Sequence, residues 1–397
     1  MKLLLVALAV VVAVTLATVP LGRARNWNRG SYLVLMRDGV CKKGSHARAA
    51  LKRKILDADP VNTIDYEWTL INGLAAHLSL NTLKELRSLD DTIELIEEDG
   101  IAYALADCTG SSSPPDGAWG IRTLSTPGCS APASTYRYPA SPGEGTFNYI
   151  LDTGCFEHKE YAGRTAPGAS FIAAEPNEYD DRNGHGTHVA GTVAGSTVGM
   201  AFSGTIVAVK VLGGSGSGSW SGVISGIEWS ASDAENRGLL CGSGSCKATS
   251  NLSLGGGVTQ IVDDAVNAAN AKGFFLSIAA GNNNGDACNT SPSRAEGAFT
   301  VGSTDRSNRR SSFSNYGSCN NIFAPGSSIY SATNRADAYT TLSGTSMAAP
   351  HVAGAAAILM ATKSYSSVED VKADLVAQSV SDCVTNPGNN SPNFLAY

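Results

Sequence analysis

Three short segments carry residue types that together can run acyl transfer. Tyr149-Ile150-Leu151-Asp152-Thr153-Gly154 sets a carboxylate at the end of an apolar run. Asn183-Gly184-His185-Gly186-Thr187-His188 sets an imidazole where a loop should enter a helix, and Gly344-Thr345-Ser346-Met347-Ala348-Ala349-Pro350 sets a serine at the start of an Ala-rich, helix-like stretch. A serine hydroxyl is a weak nucleophile and needs an adjacent base; the imidazole supplies it, and a carboxylate fixes its tautomer and stabilises its charged form. A helix N-terminus at Ser346 adds the positive end of a dipole where negative charge develops. Pro350 is expected in the first helical turn, where no internal donor is lost. A fourth segment, Ile278-Ala279-Ala280-Gly281-Asn282, ends an apolar strand in a small turn and an amide. The Asn282 side chain could donate to an oxyanion beside the Ser346 backbone N–H, and one such donor is worth about 2.7–4 kcal/mol of barrier. Each segment alone says little. The four in the order Asp, His, Asn, Ser are specific.

Competing readings explain less. His188, His351 and His158 are read as structural histidines satisfied by local hydrogen bonds. The pair His185 and His188 lacks the glutamate of a zinc-peptidase motif. A hydrolase of the α/β-hydrolase type would order its triad Ser, acid, His and place the serine in a Gly-x-Ser-x-Gly elbow. Here the serine comes last and Gly344-Thr345-Ser346-Met347-Ala348 lacks the second glycine. A catalytically dead binding protein on the same scaffold would not need the quartet intact, and a serine-directed fluorophosphonate label separates it from an enzyme.

These residues need a scaffold, and the 397-residue chain supplies one. Hydrophobic residues make up 43% and charged ones 16%, enough for a large core and against disorder. A net charge of -6 leaves no footprint for nucleic acid. Apolar runs at Phe147–Leu151, Thr205–Leu212, Ala248–Leu254, Gly273–Ile278 and Ala298–Val301 read as buried strands. Helical spacing at Thr187–Val198, Trp220–Asn236, Gln260–Lys272 and Ser346–Thr362 alternates with them, which implies an α/β fold with a parallel sheet covered on both faces. Functional groups collect at the carboxyl ends of such strands. Residues 20–105 are denser in charge and read as strand, helix, strand, helix, strand, a small α+β unit. The composition breaks near residue 105, and a linker-like Ser/Pro/Gly-rich stretch from Asp107 to Gly117 opens the second region, 106–397. Lys2 followed by the apolar run Leu3–Val19 reads as a secretory signal over 1–19, with an uncleaved anchor as the alternative. In an oxidising compartment most of the nine cysteines should pair.

The regions around Asp152, His185 and Ser346 resemble those of subtilisin-like serine peptidases. Arg309-Arg310-Ser311-Ser312-Phe313-Ser314-Asn315-Tyr316-Gly317-Ser318 and Ala118-Trp119-Gly120-Ile121 are similar to the proteinase K branch. Tyr32-Leu33-Val34-Leu35, Ile71-Asn72-Gly73 and Ile96-Glu97-Glu98-Asp99 resemble the inhibitory prodomain of these enzymes. The resemblance implies nucleophile Ser346, general base His185, orienting carboxylate Asp152 and oxyanion donor Asn282, with no cofactor for the chemistry. It implies that extended substrate adds as a strand between Ser215-Gly216-Ser217-Gly218 and Ser253-Leu254-Gly255-Gly256-Gly257, where glycines permit close backbone approach. Ala280 and Gly281 would help wall the primary pocket, and Trp220 either walls a distal subsite or belongs to the core. Nothing charged lies in Ser253–Gly257 or Ala279–Asn283, so apolar or aromatic residues are expected before the cut. The implied partners are protein or peptide substrates and the chain's own prodomain as inhibitor, the enzyme acting as a monomer, with maturation by cleavage within Tyr103–Asp107. A Cys288–Cys319 disulfide occurs in some relatives; closing that loop would stabilise by about 3–4 kcal/mol. Cys241 and Cys246 are a second candidate pair, and Cys108, Cys129, Cys155 and Cys383 stay unassigned. Structural calcium is expected from carbonyls of the loop Glu296–Ala298 with Asn321 where relatives carry a carboxylate, which should weaken the site.

Overall fold

Two sequence regimes give two layered units. The computed structural model describes residues 18–24, 27–37, 45–104, 118–126, 128–130 and 135–397. The signal-like run up to residue 17, Cys41, Cys108 and the stretch from Leu105 to Gly117 lie outside the described residues.

The N-terminal unit comprises β1 (Leu21–Gly22), β2 (Trp27–Met36), α1 (His46–Ala58), β3 (Thr63–Trp68), β4 (Gly73–His77), α2 (Leu80–Leu86) and β5 (Ile93–Ala104). Its strands lie in the order β1-β5-β2-β4-β3, with β2 antiparallel to both β5 and β4. Ser45 and Ser79 cap the two helices through their hydroxyls. The sequence reading lacked β3. Asp65 and Glu67 alternate there with partly buried residues, and the strand pairs only with β4.

The larger unit runs β6 (Phe147–Asp152), β7 (Thr165–Ser170), α4 (His185–Ala194), β8 (Thr205–Lys210), β9 (Ser217–Ser219), α5 (Trp220–Asn236), β10 (Ala248–Leu252), β11 (Leu254–Gly255), α6 (Gln260–Ala271) and β12 (Phe275–Ala279). It closes with β13 (Phe299–Thr304), β14 (Ile322–Pro325), the hairpin β15 (Ile329–Ala332) and β16 (Tyr339–Leu342), α7 (Thr345–Thr362), α8 (Val368–Gln378), β17 (Val380–Ser381) and β18 (Phe394–Leu395). A short helix, α3 (Trp119–Thr123), precedes β6. The nine-stranded sheet has the order β17-β18-β14-β13-β12-β10-β6-β8-β7, and every pairing from β14 to β7 is parallel. Alternation along the strands splits the core in two. Tyr149, Leu151, Val207 and Leu276 face Val223, Ile227, Ile261 and Val266 of α5 and α6, whereas Ile150 and Ala208 face Val189, Val193 and Met347 of α4 and α7. The expected helix at 187–198 begins earlier, at His185, and stops at Ala194, where Ser196 turns its N–H to the Glu160 carbonyl.

Three disulfides are formed: Cys129–Cys383, Cys241–Cys246 and Cys288–Cys319. The general expectation of pairing fails at Cys155, which is unpaired and enclosed with Ile150, Tyr161 and Val189. Among the described residues no helix is long and apolar enough to cross a membrane.

β5 belongs to both units. Its first half pairs within its own sheet; its second half leaves that sheet and lies antiparallel between β9 and β11, with Tyr103 opposite both Ser217 and Gly255. Carboxylates fasten the contact. Asp99 accepts from the N–H (3.0 Å) and hydroxyl (2.7 Å) of Ser221 in the first turn of α5. Glu97 accepts from the N–H groups of Gln260 (3.1 Å) and Ile261 (2.8 Å) at the start of α6. These helix-end donors have no partner inside their own helix, and a carboxylate there also meets the positive end of the dipole. Burial nevertheless outweighs the hydrogen bonds and raises both carboxyls above their ordinary values of 4.5 and 3.8. Docking therefore takes up protons: this contribution is full below the ordinary values and is lost as pH rises through the raised ones. The affinity of separately produced residues 20–105 for residues 106–397 should fall as pH rises from about 4 towards neutrality. The double variant Glu97→Gln, Asp99→Asn should flatten that dependence, which titration calorimetry across the range will measure.

Candidate active site

The sheet brings Asp152, His185 and Ser346 to one edge. Asp152 ends β6 and is fully buried; His185 is the first residue of α4 and 3% exposed; Ser346 is the second residue of α7. Asp152 Oδ1 lies 2.7 Å from His185 Nδ1 and also accepts from the Thr153 N–H at 2.7 Å. That contact commits Nδ1 to the carboxylate and leaves Nε2 for other chemistry; among the described residues Nε2 makes no hydrogen bond. Burial alone would push the imidazole down in pKa, but the charge and hydrogen bond of Asp152, and then the charge of Asp181, raise it on balance.

The serine is held from the substrate side. Ser346 Oγ donates to the Ser253 carbonyl at 3.1 Å, and Ser253 Oγ donates back to the Ser346 carbonyl at 2.8 Å. This exchange corrects the reading of Pro350. The proline is the sixth residue of α7, in its second turn, so it does cost the helix a donor: the one that would close on the Ser346 carbonyl. Ser253 fills that vacancy.

Asn282 is positioned by its neighbours. Its Oδ1 accepts from both the N–H and the hydroxyl of Thr345 at 2.9 Å, which turns the NH2 group the other way. The Thr345 hydroxyl in turn accepts from the Gly281 N–H. Gly281 has φ +105° and a Cβ there would lie 2.4 Å from the Asn315 amide, so glycine is required. Asn315 accepts from the N–H groups of Asn283 and Gly285 and donates to the Ala280 carbonyl. Thr345 and Asn315, which hold the Ala280–Gly285 turn by hydrogen bonds, were not singled out by the sequence reading, although Asn315 stood within a quoted family run.

The two edge segments flank the second half of β5. Ile101 faces Ser219, Ala102 faces Gly218, and Ala104 donates its N–H to the Gly216 carbonyl at 3.0 Å. Leu254 and Gly255 pair from the other side, and Gly256 bridges to Ser291. A side chain at Gly218 would strike the Val211 carbonyl at 2.1 Å. Ser215 is exposed beside Ser217, Gly257 stands in open space, and Ala280 is buried behind the site. Trp220 is 1% exposed, packed in one cluster with Ala102, Leu212 and Leu254, so it belongs to the core.

The calcium loop fits its ion poorly. Asn321 Oδ1 accepts the Thr300 N–H at 2.6 Å, and the Lys372 ammonium donates to the Gly297 carbonyl at 3.1 Å, between the two carbonyls expected to bind. A neutral amide already engaged, beside a cation, makes a weak ligand set for a hard divalent ion. Among the described residues no group of three or more His, Cys, Asp or Glu side chains could hold a metal.

Three further histidines, His158, His188 and His351, are buried. His188 Nε2 lies 2.9 Å from the Ile329 carbonyl, His351 Nδ1 lies 2.8 Å from the Met347 carbonyl, and His158 Nε2 lies 2.9 Å from the Ala338 carbonyl. Burial lowers His188 to about 3 and His351 to about 4. Their stability contribution is present above the unfolded value near 6.5 and is lost as pH falls towards the folded values. Each costs about 1.4 kcal/mol per pH unit across that window. Calorimetry of the Ser346→Ala protein should show the melting temperature dropping from pH 7 to pH 4, and His351→Asn should make the slope shallower.

Comparisons agree with this geometry. Residues 143–395 match the model of the Subtilase family. The "Alkaline proteinase" of Hapsidospora chrysogena is 37% identical, over 92% of this chain and 91% of that protein. "Subtilisin-like protease 3" of Arthroderma otae is 37% identical over 98% of both. A solved structure described as a cold adapted subtilisin-like serine proteinase superposes with a TM-score of 0.65 at 41% identity, covering 71% of this chain and 98% of that one. With its parallel sheet, its buried Asp–His pair and its helix-borne serine, the chain belongs to the subtilase family of serine endopeptidases.

Proposed function

We propose that this chain is a secreted endopeptidase, active as a monomer, made as a self-processing zymogen that cuts after apolar or aromatic residues. The observation that carries the reading is β5, which already lies in the cleft as a substrate would. In the proposed reaction Ser346 Oγ attacks the scissile carbonyl while His185 Nε2 takes its proton, and Asp152 stabilises the resulting imidazolium. The Asn282 NH2 and the Ser346 N–H donate to the oxyanion. His185 then returns the proton to the leaving amine, and water repeats the sequence on the acyl-enzyme. No cofactor enters.

Register nominates the bond that matures the chain. Gly255 faces Tyr103 and Leu254 faces Ala104, and Ser253 comes next along that edge. Ser253 holds the proposed nucleophile, so within Tyr103–Asp107 the bond after Leu105, which lies outside the described residues, is the one we propose is cut, and the mature chain would begin at Ala106. The tether makes the first cut intramolecular, with an effective concentration no free peptide matches. Expressed as full precursors, the wild type should yield Ala106 by N-terminal sequencing and Ser346→Ala should stall uncut. Efficient cutting of the purified alanine variant at that bond would defeat self-processing.

Specificity follows from what the pocket walls lack. Asp263 is a buried acid bonded to Ser291, and its Oδ2 is taken by Arg294 (2.6 Å) and by the Ser291 hydroxyl (3.0 Å). Arg294 already pairs with its charge. On matched peptide substrates Phe or Leu before the cut should beat Arg by about tenfold or more in kcat/KM, an apolar side chain gaining 1–3 kcal/mol from such a pocket. Arg beating Phe would refute this preference.

A further inference from the structure

Asp181 sits four residues before His185, is 3% exposed, and accepts five hydrogen bonds. Its Oδ1 takes the Thr153 hydroxyl (2.8 Å) and the N–H groups of Asn183 (3.1 Å) and Gly184 (2.8 Å); its Oδ2 takes the N–H (2.9 Å) and hydroxyl (2.6 Å) of Thr187. The N-cap of α4 is Gly184, at φ +98°, and supplies no side-chain cap. Asp181 does the capping from outside the helix.

The same carboxylate closes a ring around the Asp–His contact. Thr153 follows Asp152, donates to Asp181, and accepts from the N–H of Gly186, which follows His185. The strand carrying the acid and the helix carrying the imidazole are thus joined twice, once by Asp152–His185 and once through Thr153 and Asp181. We propose that Asp181 is the positioning residue of His185, fixing the imidazole against Asp152 and supplying a second negative charge that favours the imidazolium. The inference rests on His185 being the general base.

The other charged or titratable groups around the imidazole do not duplicate this role. β6 contributes Asp152, and the turn after it the Cys155 thiol, which burial keeps protonated. β8 contributes Lys210, whose ammonium is tied to the Thr153 carbonyl (2.5 Å) and to Glu175 (2.8 Å). α4 itself adds His188 and α7 adds His351, both neutral at working pH.

The test compares Asp181→Asn, Thr153→Val and Thr153→Ser in the mature enzyme, with active molecules counted by fluorophosphonate labelling of Ser346. Asp181→Asn removes the charge, so the acid limb of kcat/KM against pH should move down by about half a unit or more. Thr153→Val cuts the ring but keeps the charge: kcat per labelled site should fall about tenfold or more at similar KM, with the acid limb unmoved, and Thr153→Ser should restore it. A purely structural cap would lower the labelled fraction and leave both readouts alone. An unmoved acid limb in labelled Asp181→Asn would overturn the proposal. If that variant does not fold, an unchanged kcat in Thr153→Val overturns it instead. His185→Ala retaining full activity would fail the triad reading itself, a separable outcome.

Discussion

A missing hydrogen bond organises the catalytic edge. Pro350 has no N–H to give the Ser346 carbonyl, and the hydroxyl of Ser253 takes that carbonyl from outside the helix. The helix that carries Ser346 is therefore anchored to the junction between β10 and β11 rather than closed on itself. The Ser277 hydroxyl does the same for the Ala349 carbonyl. Asn251, within β10, donates to Ser253 Oγ, so the anchor is itself held by the sheet. Ser346, Ser253 and the central strand β10 share one set of hydrogen bonds, so the core fixes where the proposed nucleophile stands.

The cost of that arrangement appears at Asp152. It is fully buried, and its Oδ2 has no hydrogen-bond partner among the described residues. An ion pair taken out of water is weak evidence for stability, since desolvation can exceed the attraction. The surroundings offset it: the Thr153 N–H on Oδ1, His185 opposite, and Lys210, the register partner of Asp152 on β8, whose ammonium donates to the Thr153 carbonyl. The result is an imidazole more basic than its burial alone would allow. Polar groups are concentrated where charge must develop, and the two apolar layers on either face of the sheet carry the stability.

Much of this was legible because the reactive residues stand at element ends that pattern marks clearly. Asp152 closes an apolar run, His185 and Ser346 open helical ones, and the glycine-rich edges follow strands. What escaped notice works on backbone amides. Asp181 lies in Glu178-Tyr179-Asp180-Asp181-Arg182, a run that reads as a solvated loop until its partners are seen to be N–H groups of the helix that follows. Thr345 is one hydroxyl among many until it is found between Gly281 and Asn282. Cys129–Cys383 spans 254 residues and joins the segment before the sheet to the chain's last turns, a pairing no local spacing encodes. Pro350 was placed a turn early because the compensating hydroxyl lies 93 residues away in sequence.

The N-terminal unit acts on the elements that local sequence leaves weakest. β9 has three residues and β11 two, both glycine-containing, and neither has a place in the nine-stranded sheet. Glycine loses the most conformational freedom on ordering, so short glycine edges are costly to fix alone. β5 pairs with both edges, while Asp99 and Glu97 grip α5, which starts directly after β9, and α6, which starts five residues after β11. Each edge is thus held along its length by strand pairing and just beyond it by a capped helix. Only the strand occupies the cleft; the caps lie outside it. On the proposed reading, a peptide substrate replaces the end of β5 without supplying the caps, because α5 and α6 are then held by their packing against the sheet.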